Sequence, residues 1–356
     1  MPTVLESLNT ALHYALATDE RVVVLGEDIL DPYGGAFKIT RGLSTAYPGR
    51  VLTTPISEAG IVGVAAGMAL RGLRPVVEIM FGDFLTLAAD QVINHAAKFG
   101  WMYSGGKPEQ DQVHVPLVIR TPMGGRRGYG PTHSQTLEKL FLGVPGLRVL
   151  APCSLSDPGA LLAHAILNVD GPLLFVENKL LYLLPVQDPS SLEEFDIRSI
   201  PLSPVPYPLS GNGTGDFTPL ALTLTIRDAP PPSLTIATYG YMAELARQAV
   251  LRLAYEFEIF CELVVLTQLA PFEIEPVLDS VRRTGRLLLT EEGALSLGWG
   301  AEVAARCAEA LGSRLQALRR LAAQDLPVPA SPPLEAAVLP GVEEIVQTAQ
   351  KLALAS

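Results

Sequence analysis

The chain has 356 residues, 48% apolar and 18% charged, which is enough apolar side chain for a packed interior and too little charge for a disordered polypeptide. Acidic residues outnumber basic ones 37 to 26, the formal charge is −11, and no Lys/Arg-rich block is present to neutralise a run of phosphates, so no nucleic-acid partner is expected. The longest clean apolar stretches, such as Ile61 to Leu70, fall short of the roughly 18 to 20 residues of a membrane span, and at about 150 residues per domain the length predicts two domains.

In chain order, the β-branched run Val22 to Leu25 predicts a buried strand delivering Gly26-Glu27-Asp28 and the Gly/Pro-rich stretch Asp31 to Gly35. A strand at Val51-Leu52 leads into Thr54-Pro55-Ile56-Ser57-Glu58. Ser57 is expected to N-cap a helix over Ala59 to Leu70, with Glu58 in the first turn. Gly60, Gly63 and Gly67 share a face of that helix. Each glycine costs about 1 kcal/mol of helix propensity against alanine, so close packing of a neighbouring element on that face is expected.

A strand over Pro75 to Ile79 and a helix over Leu85 to Phe99 come next, and a strand over Val115 to Arg120 empties into a glycine-rich loop from Thr121 to Pro131. A strand at Leu147 to Leu150, a helix opened by Ser156-Asp157-Pro158 and a strand at Leu173 to Glu177 complete a first half. From Leu184 to Pro232 the periodicity fails and prolines crowd in, which predicts an interdomain connection.

A second alternation then runs through strands at Leu234 to Thr238, Cys261 to Leu266 and Arg286 to Thr290. Its helices are expected over Met242 to Tyr255, Glu275 to Arg283 and Trp299 to Leu311, and a closing helix over Gly341 to Leu354. Alternating strands and helices predict an α/β protein with parallel sheets covered on both faces. The expected division is a domain over 1–184, a Pro-rich linker over 185–232 and a domain over 233–356.

Cys153, Cys261 and Cys307 are an odd, widely spaced set without metal-ligand spacing, and the first ten residues lack the features of a secretion signal. Together these features predict a reduced, cytoplasmic protein. Ligands of open parallel sheets bind beyond the carboxyl ends of the strands, where Gly26-Glu27-Asp28, Thr54 to Glu58 and Thr132-His133-Ser134-Gln135 would lie.

The ordered runs Leu25-Gly-Glu-Asp28, Thr54-Pro-Ile-Ser-Glu58, Asp90-Gln-Val-Ile-Asn94, Ala96-Ala-Lys98, His133-Ser-Gln135, Pro145-Gly-Leu-Arg-Val149 and Glu291-Glu-Gly293 carry a family resemblance. The chain resembles the β subunit of thiamine-diphosphate-dependent 2-oxo acid dehydrogenases, a family that includes the pyruvate, branched-chain 2-oxo acid and acetoin enzymes. The resemblance implies a transketolase-like pyrimidine-binding domain with a parallel sheet, followed by a transketolase C-terminal α/β domain.

For Glu58 the resemblance implies the glutamate that hydrogen-bonds a ring nitrogen of the cofactor's aminopyrimidine and promotes the tautomer that deprotonates the thiazolium. Read alone, Glu58 is a first-turn acid complementing the helix dipole. His133 is implied as the active-site histidine assisting proton or acyl transfer, and Glu27 as an acid of a proton relay near the cofactor. Phe84 is implied to pack on the aminopyrimidine and Ile56 to line the pocket. Without the resemblance His133, Glu27 and Phe84 would be a loop histidine, a turn acid and a core phenylalanine.

A potassium site is implied at the backbone oxygens of Leu117, Ala165 and Ile166 with Asn168, which stands where the family has aspartate. Arg126-Arg127 reads as a solvated loop pair or as a receiver of an anionic carrier. The family's Mg²⁺-diphosphate motif, Gly-Asp-Gly followed downstream by Asn, has no counterpart, because Gly215-Asp216-Phe217 lacks the second glycine. The resemblance therefore assigns Mg²⁺ to an α subunit bearing that motif, in a heterotetramer of two α and two β chains, with a lipoylated acyltransferase receiving the acyl group. Two alternatives remain open: a specialised subunit passing acyl groups to another acceptor, and a non-catalytic scaffold. Additional polar residues at Lys107 to Gln112 and the long connection depart from the family pattern.

Overall fold

A computed structural model describes residues 1–105, 112–188, 191–202 and 220–354. Lys107 to Asp111, Gly215-Asp216-Phe217 and the prolines at 189, 204, 206, 208 and 219 lie outside the described residues. The chain runs α1 (Val4–Thr18), β1 (Val22–Gly26), α2 (Leu43–Ala46), β2 (Val51–Thr53), α3 (Glu58–Leu70), β3 (Arg74–Glu78), α4 (Ala97–Ser104), β4 (Val118–Met123), β5 (Arg148–Leu150), α5 (Pro158–Asn168) and β6 (Leu173–Asn178). It continues as β7 (Phe195–Pro201), β8 (Leu220–Ile226), β9 (Leu234–Thr238), α6 (Met242–Phe257), β10 (Cys261–Leu266), β11 (Gln268–Ala270), α7 (Glu275–Thr284), β12 (Arg286–Ala294), α8 (Trp299–Leu311), β13 (Ala317–Ala323), α9 (Pro332–Val338) and α10 (Val342–Ala353).

The first sheet has the order β11-β5-β6-β4-β3-β1-β2. Its pairs are parallel except β11 with β5. The second has the order β13-β12-β9-β10-β8-β7, with β8 antiparallel to β10 and β7 antiparallel to β8. Wholly buried strands such as Val22–Gly26 read as continuous apolar runs because helices cover both sheet faces. Thr3 starts α1 with a capping box to Glu6, a T-x-x-E signal visible in the sequence.

Three expectations change. Part of the stretch expected as connection forms β7 and β8, where Leu220, Leu222 and Leu224 alternate with Ala221 and Thr223. β7 ends at Pro201 on a sheet edge, where a missing N–H is tolerated. The helix expected over Leu85 to Phe99 is instead a 3₁₀ segment (Gly82–Ala88), a π-helical segment (Gln91–Ala96) and then α4. The face carrying Gly60, Gly63 and Gly67 is closely approached by another element of the chain only at Gly63, where a Cβ would fall 3.3 Å from Gln91 of the π-helical segment; one at Gly60 would meet Ser57 of the same turn, and Gly67 has nothing within 4 Å.

The two halves share an apolar core in which Val77 and Ile119 of the first belong to the same cluster as Val264 and Leu289 of the second. β11 reinforces the junction by leaving the second half to pair with β5. In the first sheet β1 stands between β2 and β3, so the chain crosses β1 in passing from one to the other. That reversal places a crevice at the carboxyl ends of β1 and β3.

Candidate active site

Glu27 directly follows β1 and Glu58 opens α3, and both carboxylates are buried. Ser57 takes the N-cap position, as expected, but its hydroxyl makes no capping bond. Burial first, then the charge of Glu58, push the Glu27 carboxyl above the usual range, against a lowering contribution from the Ser57 backbone N–H. Glu27 Oε1 is buried without a hydrogen-bond partner. Two acids from different loops therefore interact at the switch point, one with an unused oxygen. Ile56 beside them is 81% exposed, so it borders the crevice rather than the core.

An aromatic cluster surrounds His133. Its ring stands edge-on to Phe81 at 4.8 Å and to Phe84 at 5.2 Å, and its Nδ1 lies 2.9 Å from Thr132 Oγ1. Phe81 and Phe84 come from the entry of the 3₁₀ segment, which also carries buried Asp83. Asp83 Oδ1 accepts from Gln135 Nε2 at 3.1 Å, tying that segment to the His133 loop, while its Oδ2 is buried and unpartnered.

Two residues here escaped the sequence reading. Phe81 precedes Phe84 by three, a helical-face spacing, and lies outside every motif run. Lys179, immediately after β6, is fully buried, donates to the His133 carbonyl and lies 5.3 Å from the ring centres of Phe81 and Tyr129. Burial pushes its ammonium down to about 8, although Asp83 and Glu292 favour the charged form. Its place in the apolar run Leu173 to Leu184 was the available signal.

Beneath the crevice, adjacent strands meet at the paired residues Glu78 and Arg120. The Arg120 guanidinium grips Glu177 through Nε at 2.9 Å, also bonds Glu78, and Tyr182 donates to Glu177 Oε2 at 2.6 Å. Burial dominates at Glu78 and raises its carboxyl despite Arg120. Gly35 has φ +78° and a Cβ there would fall 2.7 Å from Glu78 Oε1, so the expected loop from Asp31 to Gly35 lies directly on this cluster.

The second half reaches the same region. Tyr239 donates to buried Glu138, whose carboxyl burial pushes up to about 6. Glu291, pushed up to about 7 by burial, accepts the Trp299 and Gly300 N–H groups at 2.8 and 2.9 Å. Neighbouring Glu292 accepts from the Gly125 N–H at 2.7 Å. The Arg126-Arg127 pair divides: Arg126 is half-buried and donates to the Pro340 carbonyl at 2.6 Å, whereas Arg127 is exposed.

At the far end of the sheet, Leu117, Ala165 and Ile166 are buried. The Ile166 carbonyl accepts from Arg74 Nε at 2.6 Å, and the Leu117 carbonyl accepts from the Leu173 N–H at 2.8 Å. Arg74 also bonds the Val169 carbonyl at 2.8 Å and Asp170 at 3.0 Å, while Asn168 ends α5 beside them.

Two family models match the chain: transketolase, pyrimidine binding domain, over residues 1–184, and transketolase, C-terminal domain, over residues 225–345. A solved structure described as a split gene transketolase, inactive β4 tetramer, superposes with a TM-score of 0.73 at 20% identity, covering 100% of this chain and 99% of that one, and shows the shared fold. The family models and the fold thus define a transketolase-like protein of the thiamine-diphosphate class. Among curated relatives, the mitochondrial pyruvate dehydrogenase E1 component subunit β-1 of Arabidopsis thaliana is 36% identical over 98% of this chain and 88% of its own length. The 2-oxoisovalerate dehydrogenase subunit β of Pseudomonas aeruginosa is 36% identical over 92% of this chain and 88% of its own length. An acetoin:2,6-dichlorophenolindophenol oxidoreductase subunit β of Cupriavidus necator is 34% identical over 97% and 95%. The chain belongs to the family of β subunits of 2-oxo acid dehydrogenase E1 components.

Proposed function

We propose that this chain, with an α subunit, catalyses the oxidative decarboxylation of a 2-oxo acid and transfer of its acyl group to a lipoyl group. The observation that carries this reading is the interacting pair Glu27 and Glu58 at the switch point, with one buried Glu27 oxygen unused; the aromatic cluster of Phe81, Phe84 and His133 beyond β3 supports it. A buried Glu27 oxygen without a partner, beside Glu58, suits a proton relay to a ring nitrogen held by Glu58, and aromatic edges suit a flat ring, so these residues fit the aminopyrimidine of thiamine diphosphate. When bound, thiamine diphosphate supplies a nucleophilic thiazolium carbon and the electron sink for decarboxylation.

Glu58 takes the ring-nitrogen hydrogen bond and holds its proton. Glu27, raised by burial and by Glu58, passes protons to and from it. Phe84 packs against the ring, Ile56 closes the side facing the partner, and His133 would supply the proton taken up by the lipoyl sulfur released as the acyl group is transferred. The diphosphate and Mg²⁺ belong to an α chain with a Gly-Asp-Gly motif, in an assembly of two α and two β chains, and the exposed Gly60 and Gly67 face is available for subunit contact. Potassium, bound by Leu117, Ala165 and Ile166 oxygens with Asn168, would have a structural part only. Neutral oxygens suit a monovalent ion, which would share the Ile166 carbonyl with the Arg74 guanidinium and bind against its charge. A division into a first domain over 1–184 and a second that takes in β7 and β8, a lipoylated acyltransferase as acceptor and a cytoplasmic location belong to the same reading. Among the described residues no helix is long and apolar enough to cross a membrane.

The test is co-purification with a Gly-Asp-Gly-bearing α chain and an assay of 2-oxo-acid-dependent reduction of an artificial electron acceptor. Activity that requires both chains and thiamine diphosphate is expected. Activity of this chain alone, or none with its cognate partner, would overturn the reading.

A further inference from the structure

The loop that leaves β4 and leads to His133 is held by the other half of the chain. Gly124, Arg126, Gly128 and Gly130 all have positive φ, +94°, +66°, +67° and +76°. Left-handed residues alternating with others turn successive N–H groups towards one side, a concavity that accepts an anion. Here the anions are side chains of the second half. Glu335 of α9, only 4% exposed, accepts from the Arg126 N–H at 2.6 Å through Oε1 and from the Gly128 N–H at 3.1 Å through Oε2. Glu292 takes the Gly125 N–H between β4 and that pair.

The seat leaves no slack. A Cβ at Gly125 would fall 2.6 Å from Leu339 Cδ1, and one at Gly128 would fall 3.1 Å from the Ala330 carbonyl oxygen. The loop is also closed on itself, since the Gly124 N–H donates to the Gln135 carbonyl and the His133 N–H to the Gly130 carbonyl, both at 3.3 Å. A displacement of residues 124–128 is therefore passed to His133 and to Gln135, which holds Asp83.

The geometry points to Glu335 as a positioning residue: it reaches from the second half to hold, by its backbone N–H groups, the loop that presents His133, with Glu292 as the second anchor. Glu335 touches none of the reacting atoms. The consequence for turnover rests on the reading of His133 given above, whereas the consequence for the loop does not.

The experiment uses the complete α/β holoenzyme with Glu335→Ala, Glu335→Gln and His133→Ala. Native trypsin digestion, mapped by mass spectrometry, reads cleavage after Arg126 and Arg127. Losing both acceptor oxygens should speed this cleavage at least about tenfold, the scale of a lost hydrogen bond to a charged acceptor. Glu335→Gln keeps one carbonyl oxygen and should fall between wild type and Glu335→Ala. The kcat of overall acyl transfer should fall in the same order, with KM for the 2-oxo acid unchanged.

Wild-type cleavage in both variants overturns the inference. So does faster cleavage with wild-type turnover in an enzyme that His133→Ala impairs. If His133→Ala itself turns over normally, the reading of His133 fails, and the digestion alone decides whether Glu335 holds the loop. If Glu335→Ala does not assemble, Glu335→Gln decides both points.

Discussion

Replacing Arg120 by methionine keeps most of the buried volume and removes a cation that two buried carboxylates share. Arg120 is 1% exposed and Glu177 1% exposed, and the guanidinium bonds both Glu177 oxygens and Glu78. Loss of one partner from a buried ion pair costs about 3–5 kcal/mol, because the remaining charge is uncompensated. Two acids share this cation, so the upper part of that range is expected, a large fraction of the roughly 5–15 kcal/mol that holds a domain together.

The sign with pH follows from Glu78, whose folded-state carboxyl is already raised by burial. Without Arg120 it rises further. Its favourable contribution is then whole below the unfolded value of about 4.5 and is lost as pH rises through the folded value, so the defect grows towards neutral pH. The assay is urea unfolding of wild type and Arg120→Met at a series of pH values, followed by near-UV circular dichroism. A defect below about 1 kcal/mol at neutral pH, the scale of an exposed pair, would refute the reasoning. So would a defect that stays constant as pH falls towards 5.

Glu138 and Glu291, raised to about 6 and about 7 by burial, hold extra protons in the folded state. Their contribution is therefore complete below about pH 4.5 and lost as pH rises through about 6 and 7, and Glu138→Gln should flatten the fall in Tm over that window. An unchanged slope would contradict this. Arg74→Met removes a guanidinium bonded to Ile166, Val169 and Asp170 and should cost roughly 3 kcal/mol in urea unfolding; wild-type stability would refute the role given to that contact. Gly35→Ala places a Cβ against Glu78 at positive φ and should lower the unfolding free energy by more than about 1 kcal/mol; a neutral substitution would show that the loop moves freely.

The α/β class and most strands were legible because buried parallel strands such as Val22–Gly26 are unbroken apolar runs. β8 was not, because its alternation from Leu220 to Ile226 lies among prolines. The single regular helix expected after β3 is broken into 3₁₀, π and α segments, a distinction of hydrogen-bond spacing that apolar periodicity does not encode. At the site, Glu27, Glu58, Phe84 and His133 stood out by motif. Phe81, Lys179, Glu292 and Glu335 did not stand out as site residues, since their part depends on contacts between distant segments, as in the Glu335 bond to Arg126. The glycines of the 124–130 loop were visible as permissive residues, whereas the carboxylates that occupy their concavity come from the far half of the chain.

The central claim is that Glu58 activates a cofactor held between this chain and an α subunit. Its most direct test is hydrogen–deuterium exchange at the thiazolium C2 of thiamine diphosphate in the assembled holoenzyme, wild type against Glu58→Gln. The account predicts unaltered assembly and cofactor binding with C2 exchange slowed at least about a hundredfold, the lower range for loss of a positioned acid–base group. Exchange at the wild-type rate in an assembled, cofactor-loaded Glu58→Gln enzyme would contradict it.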